Sequence, residues 1–297
     1  MDQCQVGDVL MSNTSSTAVN LPKDACDCHA HVFGPYELFP LAEDRPYTPS
    51  EATKESYFEM LRAAGFARGV LVHGGASGWN QGAMVDALRS APERLRGVAV
   101  PRPEITDDEL ADLHAAGVRG IRFTHIVGPS LARRYDGRLD LMDLDRLAPR
   151  LRALGWHAQI WANCDVIEEH QTRLRSYGIP LVLDHLGYFD VSRGVEDRAF
   201  QTIARLVADG SVWVKLTAFR NSRQGAPYDD VRPFHDTLVA ANSEQLLWGS
   251  DWPFLGMSGD RLPTVAGLLE LLRKWVPDTA VRTQILSHNP ARLYGFR

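Results

Sequence analysis

The sequence predicts an α/β protein that folds as a single (β/α)8 barrel, and three observations support this prediction. Short apolar segments rich in β-branched residues alternate with amphipathic helical segments eight times, as expected of parallel strands joined by helices. Strand-like segments such as residues 181–183 are apolar throughout, which is typical of strands buried on both faces. The length of 297 residues suits one such barrel, which usually fills about 250 residues.

The individual elements can be located from their hydrophobic patterns. Strands are predicted over residues 25–32, 69–73, 96–100, 120–124, 157–161, 180–185, 211–216 and 245–249. Helices are predicted over residues 51–64, 81–90, 107–116, 141–154, 166–177, 196–208, 230–241 and 262–275, with a short helical segment over 279–294. Apolar residues recur at intervals of three and four in these helices, as at Leu144, Leu147 and Leu151. Gly65 and Gly155 follow two of the helices, where glycine readily forms a left-handed cap.

The chain is predicted to form one domain. The alternative fold, an open doubly wound sheet, lacks its usual nucleotide-binding signature, because no Gly-x-Gly-x-x-Gly motif follows a predicted strand. No internal repeat, low-complexity tract or linker divides the sequence. The polar, Ser/Thr-rich start is typical of a loose segment. We therefore expect a flexible N-terminal tail over residues 1–21 and a barrel over residues 22–297.

Composition and charge exclude several classes of protein. The net charge is −5 and the pI is near 6.1, whereas nucleic-acid-binding domains are usually basic. No apolar run approaches the roughly 18 residues needed to cross a bilayer. Four cysteines are too few for a secreted disulfide scaffold, and Cys26 and Cys28 are predicted to be packed thiols. These features predict a cytoplasmic enzyme without a nucleic-acid or membrane partner, and they leave a homo-oligomer open.

Polar residues at the end of the first strand are the first candidates for a functional site. Strand periodicity places Asp27, His29 and His31 on one face, with Cys26 and Cys28 on the other. In a barrel, the loops that follow the strands converge on the active site. Two imidazoles about 7 Å apart on one face suit metal ligation or paired acid–base chemistry.

Two further strand ends carry candidate residues. His185 follows the apolar sixth strand and precedes a Leu-Gly pair. Asp251 follows the eighth strand and lies between two tryptophans. A carboxylate in this position is either a structural acceptor for loop amides or a general base, and the neighbouring strand-end histidines favour the base.

Together these motifs resemble the amidohydrolase superfamily, in its branch of pyrone dicarboxylate hydrolases and related lactonases. The resemblance extends from about residue 22 to the C-terminus. It is carried by the segments 27–35, 120–123, 184–187, 248–253 and 289–294. It implies a TIM barrel and a hydrolase that opens the ring ester of an acidic lactone, similar to 2-pyrone-4,6-dicarboxylate or to a muconolactone.

The resemblance also implies roles for the four strand-end residues. His29, His31 and His185 would hold and polarise the lactone carbonyl, directly or through one divalent metal such as zinc. Asp251 would take a proton from water as the general base and would be the fourth metal ligand if an ion is bound. The fourth strand has no bridging lysine, so two metals are not expected, and the choice between no metal and one stays open.

Substrate binding is assigned by the same resemblance. Arg122 matches an arginine that pairs with a substrate carboxylate, and Tyr47 matches a tyrosine near the bound substrate. Trp161, His73 and Arg220 complete the candidate binding residues, with a packed role as the alternative for His73.

The sequence departs from the pyrone hydrolase pattern at several of these positions. Gly128 replaces a second arginine, Trp161 replaces a tyrosine, and Gly75 replaces a serine. The loop after the seventh strand offers cations in shifted spacing, at Lys215 and Arg220 among others. A muconolactone, a sulfo- or carboxy-substituted lactone and a sugar-acid lactone are therefore alternative substrates.

Competing functions stay open at this point. Arg122 could be a buried ion-pair residue instead of an anion clamp. Metal-dependent decarboxylation and lactone isomerisation are alternative reactions, since other branches of the superfamily carry similar strand-end motifs. A non-catalytic binding barrel is disfavoured, because three histidines and an aspartate are costly to leave unsatisfied in a buried mouth.

Overall fold

The computed structural model describes residues 20–126 and 135–297, which form a (β/α)8 barrel as predicted. Eight parallel strands are hydrogen-bonded in the order β1 to β8, so that each strand pairs with its neighbours in the chain. The strands are β1 Cys26–Ala30, β2 Arg68–Val72, β3 Leu95–Ala99, β4 Val118–His125, β5 His157–Ala162, β6 Leu181–Leu183, β7 Trp213–Lys215 and β8 Leu246–Leu247.

Helices follow the strands in turn and cover the outside of the barrel. They are α1 Lys54–Ala64, α2 Gly82–Ser90, α3 Asp107–Ala115, α4 Leu144–Leu154, α5 Cys164–Ser176, α6 Arg198–Ala208, α7 Arg232–Asn242, α8 Val265–Trp275, α9 Thr279–Thr283 and α10 Asn289–Tyr294. The predicted segment 279–294 is helical but interrupted, because a π-helical turn over Gln284–His288 separates α9 from α10. Gly65 and Gly155 adopt the predicted left-handed caps, with φ of 84° and 65°.

Residues of the predicted site close the barrel. The N–H of Cys28 donates to the carbonyl of Trp248 at 2.9 Å, and the N–H of His31 donates to the carbonyl of Trp252 at 2.8 Å. The N–H of Asp251 donates to the carbonyl of His29 at 2.7 Å. Closure between the first and last strands therefore brings Asp251 beside the histidine pair.

The predicted division of the first strand into two faces is wrong. The pairing register of β1 with β2 shifts between Asp27 and Ala30, so strict alternation is interrupted. Cys28 packs in one cluster with Val70 of β2 and Val182 of β6. Side chains from strands on opposite sides of a barrel meet only in its interior, so the side chain of Cys28 points inward. His29 also faces the interior, while Asp27 accepts hydrogen bonds from Ser250. The irregularity in β1 allows the cysteine and the histidine to lie on the same side.

The closed end of the barrel interior is apolar. Tyr294 and Phe296, at the C-terminal end of the chain, pack against Cys26, Cys28 and the inward-facing residues of five other strands. The ring of His157 meets Tyr294 edge-on, with 5.3 Å between centroids. The C-terminal segment thus fills the end of the barrel opposite the predicted site.

The remaining predictions about the fold concern the termini and the cysteines. The predicted tail over residues 1–21 lies almost wholly outside the described residues, as does Cys4. Cys26, Cys28 and Cys164 are buried free thiols, as expected of packed cysteines. None of the helices in the described ranges is both long and apolar enough to cross a bilayer.

Candidate active site

A cavity of about 550 Å³ opens at the carboxyl ends of the strands, where the predicted catalytic residues meet. Most of the predicted site residues line it: His31, Tyr47, Arg122, Trp161, His185, Arg220 and Asp251. His29 lies directly beneath, with its ring 5.1 Å from that of His31 and 5.0 Å from that of His185. The strand ends thus bring three histidines and one aspartate together.

Asp251 is a buried carboxylate held by cationic and imidazole partners. Its Oδ1 lies 3.3 Å from Nε2 of His31 and 3.6 Å from Nε2 of His29, and its Oδ2 accepts a hydrogen bond from Nε of Arg220. Burial alone would raise the pKa of Asp251, but the charge of Arg220 and the contact with His31 lower it well below its usual value. The carboxylate is therefore ionised at neutral pH. Its backbone has a φ of 58°, a strained conformation for aspartate.

His185 also has a left-handed backbone and a neutral ring. Its φ is 51°, and its carbonyl accepts a hydrogen bond from Nδ2 of Asn221 at 3.0 Å. Burial lowers the pKa of His185 to about 4. Among the described residues, its buried Nδ1 has no hydrogen-bond partner. A neutral imidazole with an unpaired nitrogen is thus available to a bound molecule.

A network of buried charges beneath the cavity was not recognised in the sequence. Asp184 accepts hydrogen bonds from Nε of Arg122 at 2.9 Å and from Nε2 of Gln159 at 3.1 Å, both on Oδ2. Lys215 is fully buried, and its Nζ donates to Oε1 of Gln159 at 2.6 Å. The sequence analysis placed Lys215 in the loop after the seventh strand. In the structure Lys215 instead lies in the barrel interior, at the end of β7.

The electrostatics of this network follow from its burial. Burial would raise the pKa of Asp184, but the charges of Arg122, His29 and Lys215 lower it well below its usual value. Burial lowers the pKa of Lys215 to about 8, so its ammonium form prevails at neutral pH. Burial and the nearby charge of Lys215 together lower the pKa of His29 well below its usual value. Polar residues inside largely apolar strands, Gln159 in β5 and Lys215 in β7, were the available sequence signal for this network.

The predicted substrate-binding residues differ in their placement. Arg122 lines the cavity and forms a buried ion pair with Asp184, as the ion-pair alternative for this residue expected. Its Cζ lies 5.0 Å from the centre of the Trp161 ring. His73 does not line the cavity, and its Nε2 lies 2.7 Å from the carbonyl oxygen of Gly78. Gly128 lies outside the described residues.

Ligand atoms for one divalent cation are close together, but one of the imidazoles fits poorly. His29, His31 and Asp251 offer atoms within 4.8 Å of one another, as do His29, Asp184 and His185. A metal bound through Nε2 of His29 requires the ring proton on Nδ1, where metal-binding histidines usually donate to a carboxylate or carbonyl. Here Oδ1 of Asp184 lies 3.3 Å from that Nδ1 but outside hydrogen-bonding geometry, and Nζ of Lys215, which is a donor, lies 3.4 Å from it. His29 therefore fits a metal bound through Nε2 poorly in this arrangement.

Comparison with known proteins agrees with the predicted fold and family. The amidohydrolase family model matches residues 26–296, which span the whole barrel. The chain belongs to the amidohydrolase family. The matched range contains the positions of His29, His31, His185 and Asp251.

Named relatives place this amidohydrolase among lactone hydrolases. It is 38% identical to a 4-sulfomuconolactone hydrolase of Rhizobium radiobacter over 93% of this chain and 91% of the relative. It is 33% identical to a 2-pyrone-4,6-dicarboxylate hydrolase of Comamonas testosteroni over 95% of this chain and 94% of the relative. A solved structure from Acinetobacter baumannii, a probable 2-pyrone-4,6-dicarboxylic acid hydrolase with citric acid bound, is 28% identical and has a TM-score of 0.79. The match covers 92% of this chain and all of that structure. The family and hydrolase class predicted from the sequence are confirmed.

Proposed function

We propose that this amidohydrolase opens the ring ester of an acidic lactone with water activated by Asp251. One observation carries the proposal. An ionised, buried carboxylate contacts His31 and Arg220 and opens into a cavity that also contains the guanidinium of Arg122. A base, electrophilic groups and a cationic binding group are the parts that ester hydrolysis of an anionic substrate needs.

In the first step, Asp251 accepts a proton as a water oxygen attacks the lactone carbonyl carbon. A carbon–oxygen bond forms, and the carbonyl π electrons move to the former carbonyl oxygen. His29, His31 and His185 surround the place where this negative charge develops, and hydrogen bonds to it lower the barrier. The buried setting strengthens these interactions, because little water screens them.

In the second step, the tetrahedral intermediate collapses and the bond from the carbonyl carbon to the ring oxygen breaks. Asp251 returns its proton to the leaving oxygen, so the carboxylate is regenerated. The net reaction adds one water to the lactone and gives an open-chain acid. Arg220 contributes by keeping the carboxylate of Asp251 in position between these two proton transfers.

The cavity favours a planar or compact lactone that carries at least two anionic groups. Arg122 lies at its inner end, and the exposed Arg261 lies at its rim. Trp161, Tyr188 and Tyr228 form aromatic walls on which a flat ring can pack. The relatives named for a sulfomuconolactone and a pyrone dicarboxylate support this substrate class.

A panel of lactones assayed in water labelled with oxygen-18 tests the proposal. The panel contains 2-pyrone-4,6-dicarboxylate, 4-sulfomuconolactone, muconolactone, a sugar-acid lactone and a neutral lactone of similar size. We expect one of the acidic lactones to gain the mass of one labelled water, and the neutral lactone to react far more slowly. A product of unchanged mass would instead identify an isomerase, and release of carbon dioxide would identify a decarboxylase. A cytoplasmic location and a homo-oligomeric state stay predictions that this assay does not test.

A further inference from the structure

The two histidines of the first strand have opposite kinds of partner at Nδ1. For His31, this nitrogen lies 2.8 Å from the carbonyl oxygen of Val72. A carbonyl oxygen only accepts hydrogen bonds, so Nδ1 of His31 carries a proton. Nε2 of His31 lies 3.3 Å from Oδ1 of Asp251.

For His29, the partner at Nδ1 is a donor. Nζ of Lys215 lies 3.4 Å from it, and an ammonium group has no lone pair with which to accept. This contact requires a lone pair on Nδ1 and hence a proton on Nε2. Oδ1 of Asp184 also lies 3.3 Å from Nδ1 of His29. The direction of this contact does not suit a hydrogen bond, and Oδ1 of Asp184 has no hydrogen-bond partner among the described residues.

The surroundings hold Lys215 in this position. Its side chain has no solvent-accessible surface, and Oε1 of Gln159 accepts one of its protons at 2.6 Å. Oδ1 of Asp184 lies 3.7 Å from Nζ. Gln159 is fixed in turn by its own hydrogen bond to Asp184. The ammonium is therefore confined beneath His29.

We infer that Lys215 fixes His29 as the Nε2–H tautomer, which makes His29 a hydrogen-bond donor toward the cavity and opposes divalent metal binding through that ring. Buried Nε2 of His29 has no partner among the described residues and lies 3.6 Å from Asp251. A proton on this nitrogen can be donated to the oxyanion that forms during hydrolysis. The same proton occupies the lone pair of Nε2 that a metal ion would need. In addition, the positive charge of Lys215, on the other side of the His29 ring, repels a divalent cation.

Lys215 is thus a positioning residue that gives the two imidazoles different functions. His29 donates toward the cavity through Nε2, whereas His31 donates through Nδ1 to the carbonyl of Val72. The catalytic part of this inference depends on the proposed lactone hydrolysis. The tautomer and the metal affinity can be measured without any substrate.

Histidine NMR tests the tautomer directly. Long-range proton–nitrogen spectra of the protein labelled at histidine nitrogens distinguish the two neutral forms, and the His29→Gln variant assigns the signals of His29. At pH 7 we expect His29 in the Nε2–H form and, in Lys215→Met, the Nδ1–H form paired with Asp184. An Nδ1–H signal for His29 in the unmodified protein would overturn the inference, even if the Lys215→Met variant failed to fold.

Zinc affinity provides a second readout, measured by competition with a chromogenic chelator. We expect Lys215→Met to bind zinc at least about tenfold more tightly than the unmodified protein. Lys54→Met, the same change at a partly exposed position on α1, serves as the matched control and should leave zinc affinity unchanged. Equal or weaker zinc binding by folded Lys215→Met would contradict the inference. A failed lactone screen combined with the expected tautomer would reject only the proposed function.

Discussion

The two ends of the barrel interior are built by the same strands from different kinds of residue. At the closed end, Cys28, Val70 and Val182 pack against Tyr294 without any ion pair among them. At the open end, where the cavity lies, the same or neighbouring strands supply buried ion pairs. Arg122 pairs with Asp184, and Arg220 pairs with Asp251. Apolar burial stabilises the fold in proportion to area, whereas buried ion pairs roughly offset their own desolvation cost. The comparison predicts that substitutions at the closed end affect mainly the stability of the fold, and that substitutions at the open end affect mainly the proposed chemistry.

Asp251→Asn should show the largest effect and should affect chemistry alone. The amide is nearly isosteric but cannot accept the proton of the attacking water, so kcat should fall by about 10³- to 10⁴-fold. The measurement is kcat on the substrate identified in the lactone panel, with the melting temperature as the check on folding. Near-normal kcat in a folded variant would remove Asp251 from its role as the general base.

Tyr294→Ala, at the closed end, should lower the stability of the protein and leave its catalysis almost unchanged. Tyr294 is fully buried, and truncation of a buried aromatic ring costs about 3 to 4 kcal/mol of unfolding free energy. Urea denaturation measures the loss, and kcat per folded molecule should change little. Tyr294→Phe is the matched control. Its buried hydroxyl has no hydrogen-bond partner among the described residues, so its removal should cost almost nothing. A large loss of kcat in folded Tyr294→Ala would show that the two ends are coupled.

Arg122→Met tests the substrate-binding part of the open end. Loss of one charged contact to an anionic group should raise KM by about 10- to 100-fold, or 1.4 to 2.7 kcal/mol. Steady-state kinetics on the acidic lactone measure this change. Arg119→Met is the matched control, because Arg119 lies on the same strand but does not line the cavity. This variant should leave KM unchanged. An unchanged KM in Arg122→Met would reduce Arg122 to a partner of Asp184.

The smallest effect concerns the pH dependence of stability at the closed end. Burial first, and then the charge of Lys215, lower the pKa of His157 from 6.5 to about 3. Between these pH values the folded protein binds fewer protons than the unfolded chain, so the contribution of this residue to stability declines as the pH falls. The slope is about 1.4 kcal/mol per pH unit for one group.

His157→Gln should therefore reduce the acid-side slope of the unfolding free energy by that amount between about pH 6 and pH 4. Urea titrations at several pH values measure the slope. An identical slope in His157→Gln and in the unmodified protein would mean that His157 is protonated in the folded state.

The sequence was sufficient to predict the barrel and the strand ends at which its candidate site lies. Eight alternations of strand and helix commonly fold into one closed structure, the (β/α)8 barrel. In this barrel the carboxyl ends of all eight strands lie at the same opening, so the polar residues that follow them lie close together. His29, His31, His185 and Asp251 were identified in this way because strand-end positions are visible in a linear chain. The family resemblance then supplied their expected roles.

Only the tertiary structure decided which side chains act on one another. Strand periodicity could not reveal the irregularity in β1, because a bulge depends on how two strands pair. Asp184, Gln159 and Lys215 lie on three different strands, and their ion pairs and hydrogen bonds depend on closure of the barrel. The sequence by itself therefore determined the architecture and the set of reactive groups. Three-dimensional packing decided the environment of each group, since pKa values and hydrogen-bond partners depend on neighbours distant in the chain.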